Sequence, residues 1–170
     1  MSYGDYMVNR AVSNTGPIIH LNEINFLEVF KIFDNILIPN EVKNELTKYD
    51  VLFKEFMVVS LIAKFKDVAE ILVNKFSLDL GEAQAIALAL QEKVDYFLTD
   101  DLDARIVAKS HSIETHGTMG VILRAFREGI IDKKTTIQKI KELYTESSLF
   151  VTKVLIDHVI ESIGYCPLNE

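Results

Sequence analysis

Two neighbouring stretches decide the fold: Leu80–Ile86 (LGEAQAI), which begins a predicted helix, and Tyr96–Asp101 (YFLTDD), a predicted buried strand that ends in two aspartates. In a parallel β-α-β unit, the start of a helix and the carboxyl end of the next strand lie at the same edge of the sheet, where open α/β folds bind ligands. Glu82, Asp100 and Asp101 are therefore expected to meet at that edge. For Glu82 alone a structural role is an equal alternative, because an acid in the first turn of a helix interacts favourably with the helix dipole.

The composition is that of a folded globular protein, with 49% hydrophobic and 25% charged residues in a chain of 170. We expect one domain over residues 1–170, with an α/β core over about 8–130 and a helical extension over about 131–165. The single cysteine, Cys166, leaves no partner for an intrachain disulfide. No apolar run has the roughly 20 residues of a membrane helix. The amino terminus also lacks a signal-peptide pattern, so a cytoplasmic location is predicted.

Short apolar segments alternate with helical patterns along most of the chain. The predicted strands are Arg10–Ser13, Asn35–Ile38, Val58–Leu61, Tyr96–Thr99 and Ser112–Thr115. This alternation predicts an α/β fold in three layers, with a parallel sheet covered by helices on both faces. Two further amphipathic patterns have no strand between them and predict a C-terminal helical hairpin; they are Lys133–Tyr144 and Val151–Ile163. Asn40 and Asp79 are the predicted N-caps of two helices in the core.

Oxygen-bearing side chains follow the strands at the predicted edge. They are Asn14 and Thr15 after the first strand, Thr99, Asp100 and Asp101 after the fourth, and Thr118 at the start of a later helix. Glu82 joins them from its helix start, and Glu45 reaches the same edge from one turn inside its helix. Carboxylates this close together would repel one another, so a hard cation such as Mg²⁺ or Mn²⁺ is expected among them. Such sites hydrolyse phosphodiester bonds with water as the nucleophile. The residue types alone leave a second interpretation open, in which these acids are helix caps and solvated surface.

Five motifs occur in order along the chain: Val12–Pro17 (VSNTGP), Ile38–Leu46 (IPNEVKNEL), Leu80–Ile86 (LGEAQAI), Leu98–Asp101 (LTDD) and Gly117–Leu123 (GTMGVIL). In this order they resemble PIN-domain proteins, in a DUF3368-like prokaryotic branch related to the VapC toxin ribonucleases. The resemblance implies a Mg²⁺- or Mn²⁺-dependent endoribonuclease built on a five-stranded parallel sheet. It also implies RNA as the substrate, a homodimer, and a small antitoxin protein as a possible partner.

The resemblance carries over to individual residues. The family's acids match Glu45, Glu82 and Asp101, with Asp100 adjacent, and Thr99 matches the hydroxyl residue before them. The candidate catalytic residues are Glu45, Glu82, Asp100, Asp101 and Asn14, and the candidate metal ligands among them are Glu82, Asp101, Asn14 and Asp100. The candidate substrate-binding residues are Thr15, Thr99, Arg105 and Thr118.

Asn14 departs from the family pattern, because PIN domains usually place their first metal-binding aspartate at this position. An amide oxygen can ligate a hard cation but brings no charge, so a lower metal affinity is expected. The alternative function is therefore a non-catalytic RNA- or protein-binding PIN-like protein with a degraded metal site.

Two other side chains near this edge have alternative interpretations. Arg105 lies one helical turn after the aspartates, where it either holds a phosphate or pairs with Asp101, and we favour the ion pair. Of the histidines, only His116 is expected near the edge, and a turn or surface role is favoured over catalysis. The net charge of -7 argues against general polyanion binding but does not exclude a nuclease.

Overall fold

The computed structural model describes residues 9–51 and 53–165. Within these ranges, five short strands form one sheet in the order β3-β2-β1-β4-β5. The strands are β1 Arg10–Ser13, β2 Asn35–Ile38, β3 Phe56–Val58, β4 Tyr96–Leu98 and β5 Glu114–His116. Every neighbouring pair is parallel, so all five strands end at the same side of the sheet, which we call the carboxyl edge. The predicted α/β class and five-stranded parallel sheet are confirmed.

Helices connect and follow the strands. The described part of the chain contains α1 Thr15–Glu23, α2 Asn40–Leu46, α3 Ala63–Phe76, α4 Leu80–Glu92, α5 Leu102–Ser110, α6 Thr118–Arg127, α7 Lys133–Thr145 and α8 Lys153–Tyr165. Two short 3-10 helices, Leu27–Ile32 and Phe53–Glu55, lie between strands. None of the described helices combines the length and apolar character that a membrane crossing requires. Cys166 and the amino-terminal segment, to which the signal-peptide prediction applies, lie outside the described residues.

The helix α4 begins at its predicted N-cap, Asp79. Asp79 Oδ1 accepts a hydrogen bond from the Glu82 N–H at 2.7 Å, and Glu82 Oε2 accepts one from the Asp79 N–H at 3.0 Å. This capping box satisfies two backbone donors that the helix itself leaves unpaired. The prediction for Asn40 was wrong. Asn40 is the first residue of α2, its N-cap is Pro39, and the Asn40 side chain donates to Ser60 Oγ at 3.0 Å.

The two outer strands begin at other residues than predicted. The third strand starts at Phe56 instead of Val58, because Phe56 pairs with Ile36 of β2 and packs its ring edge-on against Phe30, at 5.8 Å between ring centroids. The fifth strand starts at Glu114, since Ser112 has a φ of 62° and still belongs to the turn after α5. A tertiary contact thus sets the start of the third strand, whereas the turn at Ser112 sets the start of the fifth.

The C-terminal helices share the core of the sheet. Ile140 and Leu143 of α7 and Ile156 and Ile163 of α8 are buried in the same apolar cluster as the central strands. The predicted helical hairpin thus corresponds to two helices that pack on the α/β core. The helix α7 ends one residue later than predicted, and α8 begins and ends two residues later. The shared cluster supports our proposal that the core and the C-terminal helices form one domain.

Candidate active site at the carboxyl edge

The Glu45 carboxylate lies between the starts of α1 and α4. Thr15 Oγ1 donates a short hydrogen bond to Glu45 Oε2. On the other side the carboxylate touches the backbone of Gly81, and a Cβ atom at position 81 would overlap Glu45 Oε1. Burial raises the pKa of Glu45, the Thr15 hydrogen bond lowers it, and the negative charge of Asp79 raises it again. The helix α2 thus brings Glu45 to the carboxyl edge, and Glu45 does not cap the start of this helix.

Glu82 lies at the centre of the acidic group. The pKa of Glu82 is raised from 4.5 to about 7, and burial is the largest cause. The backbone hydrogen bond from Asp79 opposes this shift, whereas the negative charges of Asp79, Asp101 and Glu45 contribute to it. Three acids from α2, α4 and the end of β4 are therefore close enough to act on one another electrostatically.

Asp101 follows β4 and begins α5. Its Oδ1 accepts a hydrogen bond from the Ala104 N–H at 2.7 Å, which makes Asp101 the N-cap of α5. Its own N–H donates to Thr99 Oγ1 at 3.2 Å, and Thr99 is completely buried. The Thr99 hydroxyl is therefore engaged inside the protein, where it holds the turn that presents the exposed Asp101.

Asp100 is directed away from this group and belongs to a second cluster. Its Oδ1 accepts from the Thr118 N–H at 2.7 Å, and its Oδ2 accepts from Thr118 Oγ1 at 2.5 Å and from His20 Nδ1 at 2.8 Å. Burial raises the pKa of Asp100, but the hydrogen bonds from His20 and Thr118 outweigh it and the pKa is lowered overall. Asp100 thus joins the end of β4 to the starts of α6 and α1, and the hydroxyl of the buried Thr118 is used inside the protein.

His20 was not expected at this edge, because the sequence placed only His116 there. His20 lies 80 residues before Asp100, so no local pattern connects the two. The available signal was its spacing from Gly16, four residues earlier on the same face of α1. A Cβ atom on Gly16 would lie 3.5 Å from the His20 ring and 3.6 Å from Asp100 Oδ2, so this face of α1 is directed at Asp100.

Asn14 occupies the turn between β1 and α1 and is almost completely buried. Its Oδ1 accepts from the Thr15 N–H at 2.8 Å, and its backbone N–H donates to the Leu98 carbonyl at 2.8 Å. The side chain is therefore a neutral cap of α1 beside the end of β4. It brings an oxygen to the carboxyl edge but no charge.

The predicted ion pair between Arg105 and Asp101 was wrong. Arg105 Nε and Nη2 both donate to the Thr99 carbonyl, at 3.2 Å each. Its guanidinium lies against Gly117, while the Asp101 carboxylate is taken up by the start of α5. Among the described residues no carboxylate forms an ion pair with Arg105. Its cationic group is therefore available to a ligand.

The acids fit a hard divalent cation in their chemistry, although they are not assembled as a cage. Within the described ranges, no three histidine, cysteine, aspartate or glutamate side chains are grouped so that they could hold a metal ion as they stand. The donors of Glu45, Glu82 and Asp101 are all carboxylate oxygens, the type that Mg²⁺ and Mn²⁺ prefer. Burial is the largest cause of the raised pKa of Glu82, and the negative charges of Asp79, Asp101 and Glu45 add to it; a cation would offset these charges.

Comparison with known proteins identifies the family and the fold. The DUF3368 family model, described as a PIN domain, matches residues 10–165. No curated protein sequence matches the chain. Among solved structures, the chain is similar to a PilT N-terminus domain protein from the hyperthermophilic archaeon Sulfolobus solfataricus P2, with a TM-score of 0.50 and 12% sequence identity. That match covers 69% of this chain and 93% of the other, and at this identity it shows the fold alone.

Proposed function

The chain belongs to the DUF3368 family of PIN domains, which are generally nucleases, and on this premise we propose that it is a metal-dependent endoribonuclease. One observation carries the proposal: the Glu45 carboxylate lies against Gly81, beside Glu82 in the first turn of α4, at the carboxyl edge where Asp101 caps α5. Ligand sites of open α/β folds lie at this edge. A group of mutually repelling carboxylates suits the neutralising role of Mg²⁺ or Mn²⁺.

Each residue at the edge has a distinct proposed role. Glu45, Glu82 and Asp101 would hold the cation, with the Asn14 amide oxygen as a neutral addition. A bound divalent cation supplies a more acidic water and offsets the charge that develops on the phosphate oxygens. Asp100 is a positioning residue, because both of its oxygens are engaged by Thr118 and His20.

Substrate contacts are proposed for two elements near the acids. The Arg105 guanidinium and Asp100 Oδ1 both lie beside Gly117, and the guanidinium would pair with a backbone phosphate. Thr15 donates to Glu45, so its proposed contact with RNA is indirect, through the orientation of that carboxylate. Thr99 and Thr118 would act in the same indirect way, since both are completely buried.

A narrower form of the proposal is that the protein is the toxin of a toxin and antitoxin pair. This form adds a small antitoxin protein as partner and a homodimer as the assembly. It is supported by the resemblance to the VapC branch and by no separate structural observation. The cytoplasmic location also stays a prediction from the sequence.

A second candidate function is a non-catalytic member of the family that binds RNA or protein. Two observations favour it. Asn14 supplies no charge where the family usually has an aspartate, and the carboxylates of Glu82 and Asp101 are engaged as helix caps. In this case the acids would serve the fold, and the metal affinity would be negligible.

RNA cleavage in the presence of Mn²⁺ tests the proposed nuclease. We expect cleavage by the wild-type protein and its loss in both Asp101→Asn and Glu82→Gln. Asp103→Asn is the matched control, because Asp103 is an exposed acid on the same helix as Asp101 and should leave cleavage unchanged. Cleavage that persists in both site variants would contradict the assignment. Calorimetric titration with Mn²⁺ separates the two candidates, since no binding at millimolar metal would favour the non-catalytic member.

A further inference from the structure

A cavity of about 410 Å³ opens beside Asp100 and Arg105. The end of β5 and the start of α6 form one wall, with His116 and Gly117. The segment between α7 and α8 forms the other wall, with Phe150. We call this cavity the α6–α8 groove. It is continuous with the carboxyl edge, because Asp100 and Gly117 belong to both.

The segment that carries Phe150 is held in place. Glu23 Oε2, at the end of α1, accepts hydrogen bonds from the Ser148 N–H at 2.7 Å and from Ser148 Oγ at 3.0 Å. Leu149 and Val151 pack against the hydrophobic core on either side of Phe150. Phe150 itself is 90% exposed, the highest exposure among the large hydrophobic residues in the described ranges. A fixed backbone therefore presents a bare aromatic ring at the mouth of the groove.

The opposite wall contributes a positive charge. Arg105 forms no ion pair within the described part of the chain, and its guanidinium lies against Gly117 on the groove wall. Burial lowers the pKa of His116, and the charges of Arg124, Arg127 and Arg105 lower it further against the opposing effect of Glu114. The positive charge of this wall is therefore assigned to Arg105 and not to His116.

We propose that the α6–α8 groove binds one nucleotide of single-stranded RNA adjacent to the cleaved bond, with its base stacked on Phe150 and its phosphate at Arg105. Proteins recognise single-stranded RNA by stacking splayed bases on exposed aromatic rings and by pairing phosphates with cations. The volume of the groove lies in the range of small-ligand sites, roughly 300–1,000 Å³. The inference rests on the proposed nuclease function, because it places the nucleotide beside Asp100, at the same carboxyl edge as the proposed metal-holding acids.

The binding test separates this inference from catalysis. The Kd of a short fluorescein-labelled oligouridylate is measured by anisotropy in EDTA, where the proposed metal-dependent cleavage cannot proceed. We expect Phe150→Ala to weaken binding about 5- to 100-fold, the effect of losing one stacked base, and Phe150→Trp to retain it. The matched control is Ile71→Ala, because Ile71 is an exposed apolar residue on α3 with 59% exposure and does not line the groove.

Arg105 is tested in the same assay. Arg105→Gln should weaken binding and reduce its salt dependence, whereas Lys75→Gln, at an exposed lysine on α3 that does not line the groove, should change neither. A Phe150→Ala protein that binds the oligouridylate as well as Ile71→Ala does would overturn the inference. Phe150 would then be a contact for a protein partner and not for RNA.

Cleavage assays with Mn²⁺ distinguish failure of the groove from failure of the proposed function. If the wild-type protein does not cleave RNA but Phe150→Ala weakens binding, the groove is supported and the nuclease is not. If the wild-type protein cleaves RNA and Phe150→Ala neither weakens binding nor raises KM, the nuclease is supported and the groove is overturned.

Discussion

The Glu45 carboxylate lies against the backbone of Gly81, although the two residues belong to different helices and are 36 positions apart (81 − 45). Any larger residue at position 81 would place its Cβ atom on Glu45 Oε1. A glycine inside a helix costs about 0.5–1 kcal/mol relative to alanine. The close approach of the acid is the physical reason for accepting that cost at the start of α4.

Gly81→Ala should therefore separate activity from stability. The methyl group displaces the flexible Glu45 side chain, and we expect RNA cleavage to fall about 10- to 100-fold, the usual effect of misplacing a group by about 1 Å. The free energy of unfolding should change by less than about 1 kcal/mol, because alanine also favours the helix. Gly164→Ala on α8 is the control, since nothing lies within 4 Å of its added Cβ. Equal cleavage rates in the two variants would contradict the role given to Glu45.

Glu82 should make the metal-free protein less stable as the pH rises. Its pKa in the folded state, about 7, lies above the ordinary value of 4.5, so the folded state binds the proton more tightly. Stability is then lost as the pH rises through this window. Glu82→Gln keeps an acceptor for the capping box but carries no charge. In EDTA, the melting temperature of the variant relative to wild type should increase from about pH 5 to about pH 8. If the melting temperatures of the two proteins changed with pH in parallel, the folded state would not disfavour the charged form of Glu82.

Asn14→Asp should strengthen metal binding without disturbing α1. Aspartate caps helix starts as well as asparagine does, and its charge is favourable at the start of a helix. A fourth charged oxygen beside the other acids should lower the Kd for Mn²⁺ about tenfold or more, measured by calorimetry. RNA cleavage should increase in the same variant. An unchanged Kd would show that position 14 does not reach the cation.

Asp100→Asn should destabilise the fold, because the substitution removes a charged acceptor from the Thr118 N–H and from His20. Hydrogen bonds to charged groups contribute about 1.5–3 kcal/mol, and we expect a loss of that order in the free energy of unfolding at pH 7. The pKa of Asp100 in the folded state is lowered from its ordinary value near 4. Its contribution to the free energy of unfolding is therefore fully present above about pH 4 and is lost as the pH falls below that value. The effect is measured by denaturant unfolding at pH 7 and again in acid below pH 4. Asp103→Asn is the control, because Asp103 is exposed on α5.

The locally encoded parts of the fold were predictable from the sequence. The strands β1 and β2 each have four residues around a short apolar segment, they are followed by Asn14 and Pro39, and their bounds agree with the prediction. The helix α4 carries its start signal in Asp79 and Glu82, three residues apart. In each case the residues that decide the element lie within one turn or one strand of it.

The contacts that shape the site were not predictable in the same way. His20 reaches Asp100 across 80 residues, and Glu45 meets Gly81 only after α2 and α4 have packed. Arg105 donates to the Thr99 carbonyl, while the Asp101 carboxylate accepts from the Ala104 N–H as the cap of α5. Sequence spacing therefore placed the acids at one edge, whereas the division between the Glu82 group and the Asp100 cluster required the three-dimensional structure.

The capping roles of two acids bear on how this fold changes during evolution. Asp101 begins α5 and Glu82 closes the capping box of α4, so selection for folding alone would preserve both in a descendant that no longer processed nucleic acid. Glu45 caps no helix and occupies a position that Gly81 leaves open. Among homologous chains, the loss of Glu45 together with a larger residue at position 81 would mark the lineages in which chemistry has been abandoned.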